Sequence, residues 1–386
     1  MKNLADRTQG FGNSIFGVMS KMATEHNAIN LAQGFPDFDG PEFLKEYALD
    51  SIKAGENQYA AYPGLRILRE KVSQKYQREY SANFDIDNEI TITNGATEGI
   101  YLTINALINP GDEVVMFEPV YDSYVNSIKM AGGIPKAVTL KGKGFNFDES
   151  ECEEAFSSKT KLVILNTPHN PTGKIFSKEE MQFIIDLALK HDAYIMSDEV
   201  YEYLVFDGKK HISLCEFNEV RERSIIISSA GKTFGMTGWK IGWVLTTPEI
   251  TNEIRKVHQY VTFSIATPFQ VAVARALDHI DEYKKEFLNL YEQKRNRFVK
   301  GLKEIGFDFE APSGTYFILV PIKSFTDKDD VEFAKELIKK YQVASIPPSA
   351  FYLKSDEGKN YLRLCFAKKD ETIDAAIKNL QALKSL

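Results

Sequence analysis

Short apolar β-type runs alternate with helical stretches along most of this chain, and that alternation restricts its fold more than any other feature. Strands are predicted over Ile90–Thr93, Glu113–Phe117, Leu162–Leu165, Ala193–Met196, Ser224–Ser228 and Ile241–Thr246. Helix-like segments such as Glu98–Ile108 and Lys178–Lys190 lie between them. Strands that are apolar on both faces and separated by helices form a mostly parallel sheet covered on both sides. In such sheets ligands bind beyond the carboxyl ends of the strands. Gly95, Asn166, Asp198 and Ser229 each fall just after one of these strands.

The pattern changes beyond about residue 277. A long polar helix over Asp281–Ile305 leads to shorter strands at Tyr316–Val320, Val343–Ile346 and Tyr361–Phe366, with a helix at Asp330–Tyr341. The expected fold class is therefore α/β, with a large domain of helix-flanked, mostly parallel sheet over 39–280 and a smaller α+β domain over 281–386. Residues 1–38 are too few to fold alone and are expected to pack on the small domain. A length of 386 residues fits two packed domains.

Composition removes several classes of function. A net charge of −7 without a basic block argues against nucleic acid as a partner. Neither a signal core nor a membrane span is evident. Three separated cysteines lack CxxC spacing, and the six histidines form no ligand motif. The expectation is a cytoplasmic, metal-free globular protein.

The chemistry concentrates in three segments: SSAGKTFGMTGWKIGW (228–243), SDEVYEYL (197–204) and NTPHNPTG (166–173). They supply an amine (Lys232), a carboxylate (Asp198), a phenol (Tyr201) and two amides (Asn166, Asn170). An amine can condense with an aldehyde cofactor of the pyridoxal phosphate type, and a carboxylate can keep the ring nitrogen protonated. Gly95, Ala96 and Thr97 open a helix after a strand, so their N–H groups and the Thr97 hydroxyl suit a phosphate, although an ordinary helix cap reads the same way. Ser229 can add a hydroxyl and Lys240 a positive charge, unless Lys240 is simply a surface lysine between two tryptophans. Asp198 is also compatible with a helix N-cap, and Tyr121 with either ring stacking or core packing. Arg363, among apolar neighbours in NYLRLCF, needs a carboxylate, which a substrate or a structural salt bridge would provide.

Taken together, NPTGK, SDEVYE, SSAGKTFGMTGWKIGW and Arg363 resemble the class I aminotransferases of fold type I. NLAQGFPDF, HQYVTF and YLRLCFAK resemble the kynurenine and methionine aminotransferase branch, some members of which also cleave cysteine S-conjugates. The resemblance spans residues 30 to 366. It implies pyridoxal 5′-phosphate as cofactor, Lys232 as the lysine that condenses with it, and Asp198 as the partner of its ring nitrogen. Asn170 and Tyr201 would bind the ring hydroxyl, Tyr121 would stack on the ring, and Ala96, Ser229 and Lys240 would hold the phosphate. Tyr59 would reach the phosphate from the other subunit of a homodimer. Gly34, Asn166 and Arg363 would take the substrate carboxylate. The wider class usually has arginine where this chain has Lys240, and the kynurenine-type branch resembles the chain there.

Acid-specific relatives read a second carboxylate with an arginine, and residues 258–270 contain none. By family position, Phe16, Tyr62, Phe263 and Tyr316 line an apolar, aromatic pocket instead. The expected reaction is transfer of an amino group from methionine, phenylalanine, tyrosine or kynurenine to a 2-oxo acid. The alternative is a β-lyase acting on cysteine conjugates or cystathionine with the same residues. A binding protein on this scaffold would carry a fused DNA-binding domain or lack Lys232, and neither is expected here.

Overall fold

The computed structural model describes residues 5–385 apart from 9, 10 and 13; the remainder of the expected segments 1–38 and 281–386 lies outside the described residues. The strands are β1 (Ile29–Asn30), β2 (Ile90–Asn94), β3 (Glu113–Glu118), β4 (Ile134–Thr139), β5 (Thr160–Asn166), β6 (Tyr194–Asp198), β7 (Ser224–Ser229), β8 (Ile241–Leu245), β9 (Phe317–Pro321), β10 (Val343–Ala344) and β11 (Tyr361–Cys365). Seven form one sheet in the order β2-β8-β7-β6-β5-β3-β4. The pairs β7–β6, β6–β5, β5–β3 and β3–β4 are parallel. Only β8 runs against its neighbours, pairing antiparallel with β2 and β7.

Alternation along each strand sends consecutive residues to opposite faces. Val163, Leu165, Ile195, Ile226 and Trp243 face a core shared with the helices Arg66–Tyr80, Lys178–Lys190 and Thr267–Ala276. Leu162, Ile164, Met196, Ile225 and Val244 face the helices Gly95–Leu107 and Pro248–Val261. Both faces of the sheet are thus dry, which explains the continuous apolar runs. The helix Lys178–Lys190 begins at a reciprocal capping box, Ser177 with Glu180, which satisfies two of its free N–H groups.

A separate core gathers Phe298, Leu302, Phe333, Leu337, Ile318, Val320, Leu362 and Leu364. Its long helix, Ile280–Ile305, ends at Gly306 in the left-handed conformation. β9 pairs antiparallel with β11. Met19 and Ala23 of the helix Ile15–Glu25 and Leu31 join this same core, and β1 pairs with β10. These described residues of the N-terminal segment thus share a core with β9 and β11.

The pairing register sets the site. Asn166 lies beside Asp198, Ser229 beside Gly242 and Asn94 beside Ile241. Because β8 is reversed, its start, rather than its end, joins the carboxyl edge of the sheet. Lys240, immediately before β8, is thereby placed with residues that follow the other strands.

Candidate active site

A cavity of about 290 Å³ opens at this edge and is lined by Lys232, Asp198, Tyr201, Asn166, Asn170, Tyr121 and Arg363, among others. Gly34, Gly95, Ala96, Thr97, Ser229, Lys240 and Phe16 also border it. Fourteen of the eighteen expected site residues thus meet in one cavity.

Lys232 lies in a short helical turn, Ala230–Thr233, directly after β7. Its Nζ donates to the Tyr316 hydroxyl at 2.7 Å and to the Gly34 carbonyl at 3.4 Å. Burial, which disfavours a charged amine, lowers its pKa to about 8. About a tenth of it is therefore neutral and nucleophilic at pH 7, far more than of an ordinary lysine.

Asp198 ends β6 and is followed by a turn, so it caps no helix. Its carboxylate accepts the Tyr124 hydroxyl at 2.5 Å and the Val200 N–H at 3.3 Å. Burial raises its pKa to about 6 despite these bonds. A cation beside it would draw that value back down, and a protonated ring nitrogen is such a cation.

The Asn166 side chain is fixed at both ends. It donates to the Asp198 carbonyl at 2.9 Å and accepts the Asn170 N–H at 2.7 Å, which ties the loop carrying both amides to the end of β6. Tyr121 caps the helix Asp122–Met130 and meets Tyr124 edge-on at 5.6 Å.

Gly95, Ala96 and Thr97 form the first turn of Gly95–Leu107, whose N–H groups are free of intrahelical partners. Lys240 Nζ lies 3.5 Å from Thr97 Oγ1. Gly95 has φ +72°, and a Cβ there would approach Lys240 Cε and Nζ to 3.2 Å. These groups, with Ser229 and Thr237 on the same cavity wall, suit a phosphate dianion.

Arg363 on β11 is almost fully buried, at 2% exposure. Its Nη2 donates to the Ala32 carbonyl at 2.8 Å, and its Nε has no partner. The guanidinium carbon sits 4.2 Å from the Phe317 ring centroid and 4.9 Å from that of Phe16. Burial lowers its pKa to about 10, so it stays charged at neutral pH. No ion pair within 4 Å involves it among the described residues, so the structural salt bridge that the sequence allowed is absent. An unpaired guanidinium at a cavity wall is matched by a ligand carboxylate.

Four expected residues lie elsewhere. Tyr316 is not on the cavity wall: adjacent residues of an extended chain point to opposite sides, so Phe317 faces the cavity and Tyr316 lies behind Lys232. Tyr62 and Phe263 are 40% and 47% exposed and lie outside the cavity of this chain. Tyr59 is 84% exposed and meets Phe263 edge-on at 5.6 Å, so within one chain it does not join the phosphate groups. Sequence reasoning missed Phe317 and Tyr124. The second was available in EPVYDSY, where Tyr124 follows Tyr121 by three, one helical turn. Gln33, Phe35 and Thr237 also line the cavity and carried no recognisable signal.

A family model for aminotransferase class I and II matches residues 26–380. A methionine aminotransferase of Escherichia coli is 43% identical over 372 residues, covering 96% of this chain and 96% of that protein. A kynurenine–oxoglutarate transaminase of Dictyostelium discoideum is 39% identical, covering 98% and 96%. The solved structure of N-succinyldiaminopimelate aminotransferase from Mycobacterium tuberculosis matches with a TM-score of 0.96 at 39% identity, over 99% of this chain and 100% of that one. Each of these three is named for amino-group transfer and none for elimination. With matches of this length and a cavity whose unpaired groups fit the cofactor, the chain belongs to the class I and II aminotransferases, enzymes of fold type I that depend on pyridoxal 5′-phosphate.

Proposed function

We propose that this aminotransferase takes its amino group from a large apolar, sulfur-containing or aromatic amino acid, such as methionine, phenylalanine, tyrosine or kynurenine, and passes it to a 2-oxo acid. The observation that carries this reading is the cavity wall. Phe16, Phe35, Ile100, Val200 and Phe317 line it, and Arg363 is the one arginine among its described lining residues. A second carboxylate on the donor would lose water there without gaining a partner, at a cost of several kcal/mol. The names of the methionine and kynurenine relatives agree with this choice; that of the N-succinyldiaminopimelate relative names a different donor.

The residue roles follow from chemistry and position. Bound pyridoxal phosphate supplies an aldehyde that condenses with amines and a cationic ring that draws electrons from the donor's Cα. Asp198, held by Tyr124, balances the ring nitrogen's charge. Asn170 and Tyr201 would bind the ring hydroxyl, and Tyr121 would pack against the ring. Gly95, Ala96, Thr97, Ser229 and Lys240 bind the phosphate. Arg363 grips the donor's α-carboxylate through two parallel N–H bonds, with Asn166 and Gly34 beside it. Lys232 Nζ would take the proton from the donor's Cα and deliver it to the cofactor's former aldehyde carbon, with its neutral form favoured by burial.

The same reading includes a homodimer, in which Tyr59 reaches the partner's phosphate site and Tyr62 and Phe263 border its substrate pocket. Exposed Tyr59, Tyr62, Tyr260 and Phe263 support it, because so large a set of exposed aromatics usually marks an interface. It also includes a division into 1–38, 39–280 and 281–386, supported by the separate cores, and a cytoplasmic location, supported by three unpaired cysteines.

The test compares kcat/KM for several donors against one 2-oxo acid. Methionine, phenylalanine or kynurenine is expected to exceed aspartate by at least about tenfold, since a methylene or two of apolar burial is worth roughly 1–3 kcal/mol. Preference for aspartate or N-succinyldiaminopimelate would overturn the apolar reading. Lys232→Ala is expected to abolish turnover with every donor.

A further inference from the structure

The segment PSGTYFIL (312–319) places two aromatics side by side where the chain enters β9. Phe317 faces the cavity. Tyr316 turns the other way and is 2% exposed. Its ring meets Tyr201 edge-on at 5.3 Å and stacks on Tyr291 at 6.0 Å, so its position is fixed by packing.

Its hydroxyl donates to the Gly34 carbonyl at 2.6 Å and accepts from Lys232 Nζ at 2.7 Å, and the Tyr201 hydroxyl is close enough to interact with it as well. A phenol has one proton, and a carbonyl can only accept. The proton therefore points to Gly34, and an oxygen lone pair faces Lys232. An N–H of Lys232 must be the donor in that contact, whether the amine is neutral or protonated. One N–H directed backwards leaves the rest of the tetrahedral nitrogen facing the cavity.

We propose that Tyr316 is a positioning residue for proton transfer: it holds the Lys232 amine, once free of the cofactor, with an N–H turned away and the lone pair towards the donor's Cα. Tyr316 transfers no proton itself. When the Cα–H bond breaks, the proton goes to Lys232 Nζ, and the phenol keeps its own on Gly34. This proposal rests on Lys232 being the base.

The same short segment serves both ends of the substrate. The Ala32 carbonyl holds Arg363 Nη2, and the Gly34 carbonyl holds the Tyr316 hydroxyl. Seating a carboxylate on Arg363 and aiming the base thus depend on one stretch of three residues. The titratable and charged groups around the pair are Asp198, Tyr201, Lys240, Tyr291, Arg363 and Cys365. Beyond Tyr316, Lys232 has a hydrogen bond only to the Gly34 carbonyl among the described residues.

Tyr316→Phe keeps the ring and removes the hydroxyl, and it is read in two ways. In the holoenzyme, single-turnover deprotonation of a Cα-deuterated donor is expected to slow by about 10- to 100-fold, with KM within about twofold of wild type, because orientation of the base is lost while binding is not. In the apoenzyme, the pH midpoint for capture of added pyridoxal phosphate by Lys232, followed by absorbance, is expected to fall, since an acceptor that favours the ammonium has gone. If the phenylalanine variant does not fold, 3-fluorotyrosine at 316 keeps shape and hydroxyl but makes a weaker acceptor, and its midpoint is expected to move the same way. An unmoved deprotonation rate, an unmoved midpoint, or a change in KM alone overturns the proposal. Turnover by Lys232→Ala overturns the reading beneath it, an outcome distinct from a silent Tyr316→Phe.

Discussion

Asp198, Lys232 and Arg363 are three buried ionisable groups whose charges the chain itself leaves poorly compensated, and each has a pKa displaced by burial towards its neutral form. Such displacement is an energetic cost that a ligand with complementary charges removes. For Asp198 the sign is explicit. Its folded value, about 6, lies above the ordinary 3.8, so the unfolded chain releases this proton first. Stability of the apoenzyme is therefore lost as pH rises from about 4 to about 6, by up to roughly 3 kcal/mol at 1.36 kcal/mol per unit. Asp198→Asn is expected to make the apoenzyme more stable than wild type at pH 7, with the advantage vanishing near pH 4, as measured by denaturant unfolding across that range. An advantage that does not change with pH would mean that the carboxylate is not desolvated. In the holoenzyme the same substitution is expected to slow Cα deprotonation, because a neutral amide no longer balances the ring's charge. At this scale most of the site was legible, since amine, carboxylate, amide and guanidinium each imply a partner. The aromatic assignments were less secure: Tyr316 and Phe317 differ by one position, and strand pleat rather than residue type decides which of them meets the cavity.

At the scale of elements, one close approach in the site is between backbones. β8 and the start of the helix Gly95–Leu107 come so near that a Cβ on Gly242 would lie 2.7 Å from the Ala96 nitrogen and the Gly95 carbonyl carbon. Nothing there is a flexible side-chain tip, so the helix start itself would have to shift. Gly242→Ala is expected to lower stability by about 1–3 kcal/mol, as overpacking does, and to weaken pyridoxal phosphate binding to the apoenzyme by moving the N–H groups assigned to its phosphate. Gly238→Ala, a few residues earlier with open space around its Cβ, is expected to change neither. Thermal unfolding with a cofactor titration separates these outcomes, and normal affinity in Gly242→Ala would detach this turn from the phosphate. Six of the seven strands in the sheet were readable from their apolar runs. β4 was not, because IPKAVT carries a proline and a lysine at its second and third positions and sits at the sheet edge, where both are tolerated and burial is incomplete. The reversal of β8 was equally hidden, since an apolar run carries no direction; yet that reversal brings Lys240 to the site.

For the whole molecule, the decisive question is whether one chain contains its complete active site. The segment bearing Tyr59 is tied to the one leading to Thr267–Ala276: Ser264 Oγ donates to the Ala60 carbonyl at 3.0 Å and Thr267 Oγ1 to the Gln58 carbonyl at 2.6 Å. Tyr59 and Phe263 therefore project together as one exposed aromatic surface, away from the cavity of their own chain. The expected role of Tyr59 in a partner's phosphate site is consistent with that placement, and no pattern within a single sequence distinguishes a residue used at home from one lent across an interface. A mixed dimer does. One chain carries Tyr59→Phe, the other Lys232→Ala, so the only catalytic lysine belongs to the Tyr59→Phe chain. If tyrosine crosses the interface, that site receives an intact Tyr59 from its partner, and its cofactor affinity and turnover per active site should match wild type. A loss of one hydrogen bond to phosphate, about 1.5–3 kcal/mol for a charged acceptor, corresponds to at least tenfold in affinity, well within reach of a titration. Affinity equal to that of the Tyr59→Phe homodimer would place the tyrosine in its own chain's site, and the exposed aromatic surface would then need a different occupant.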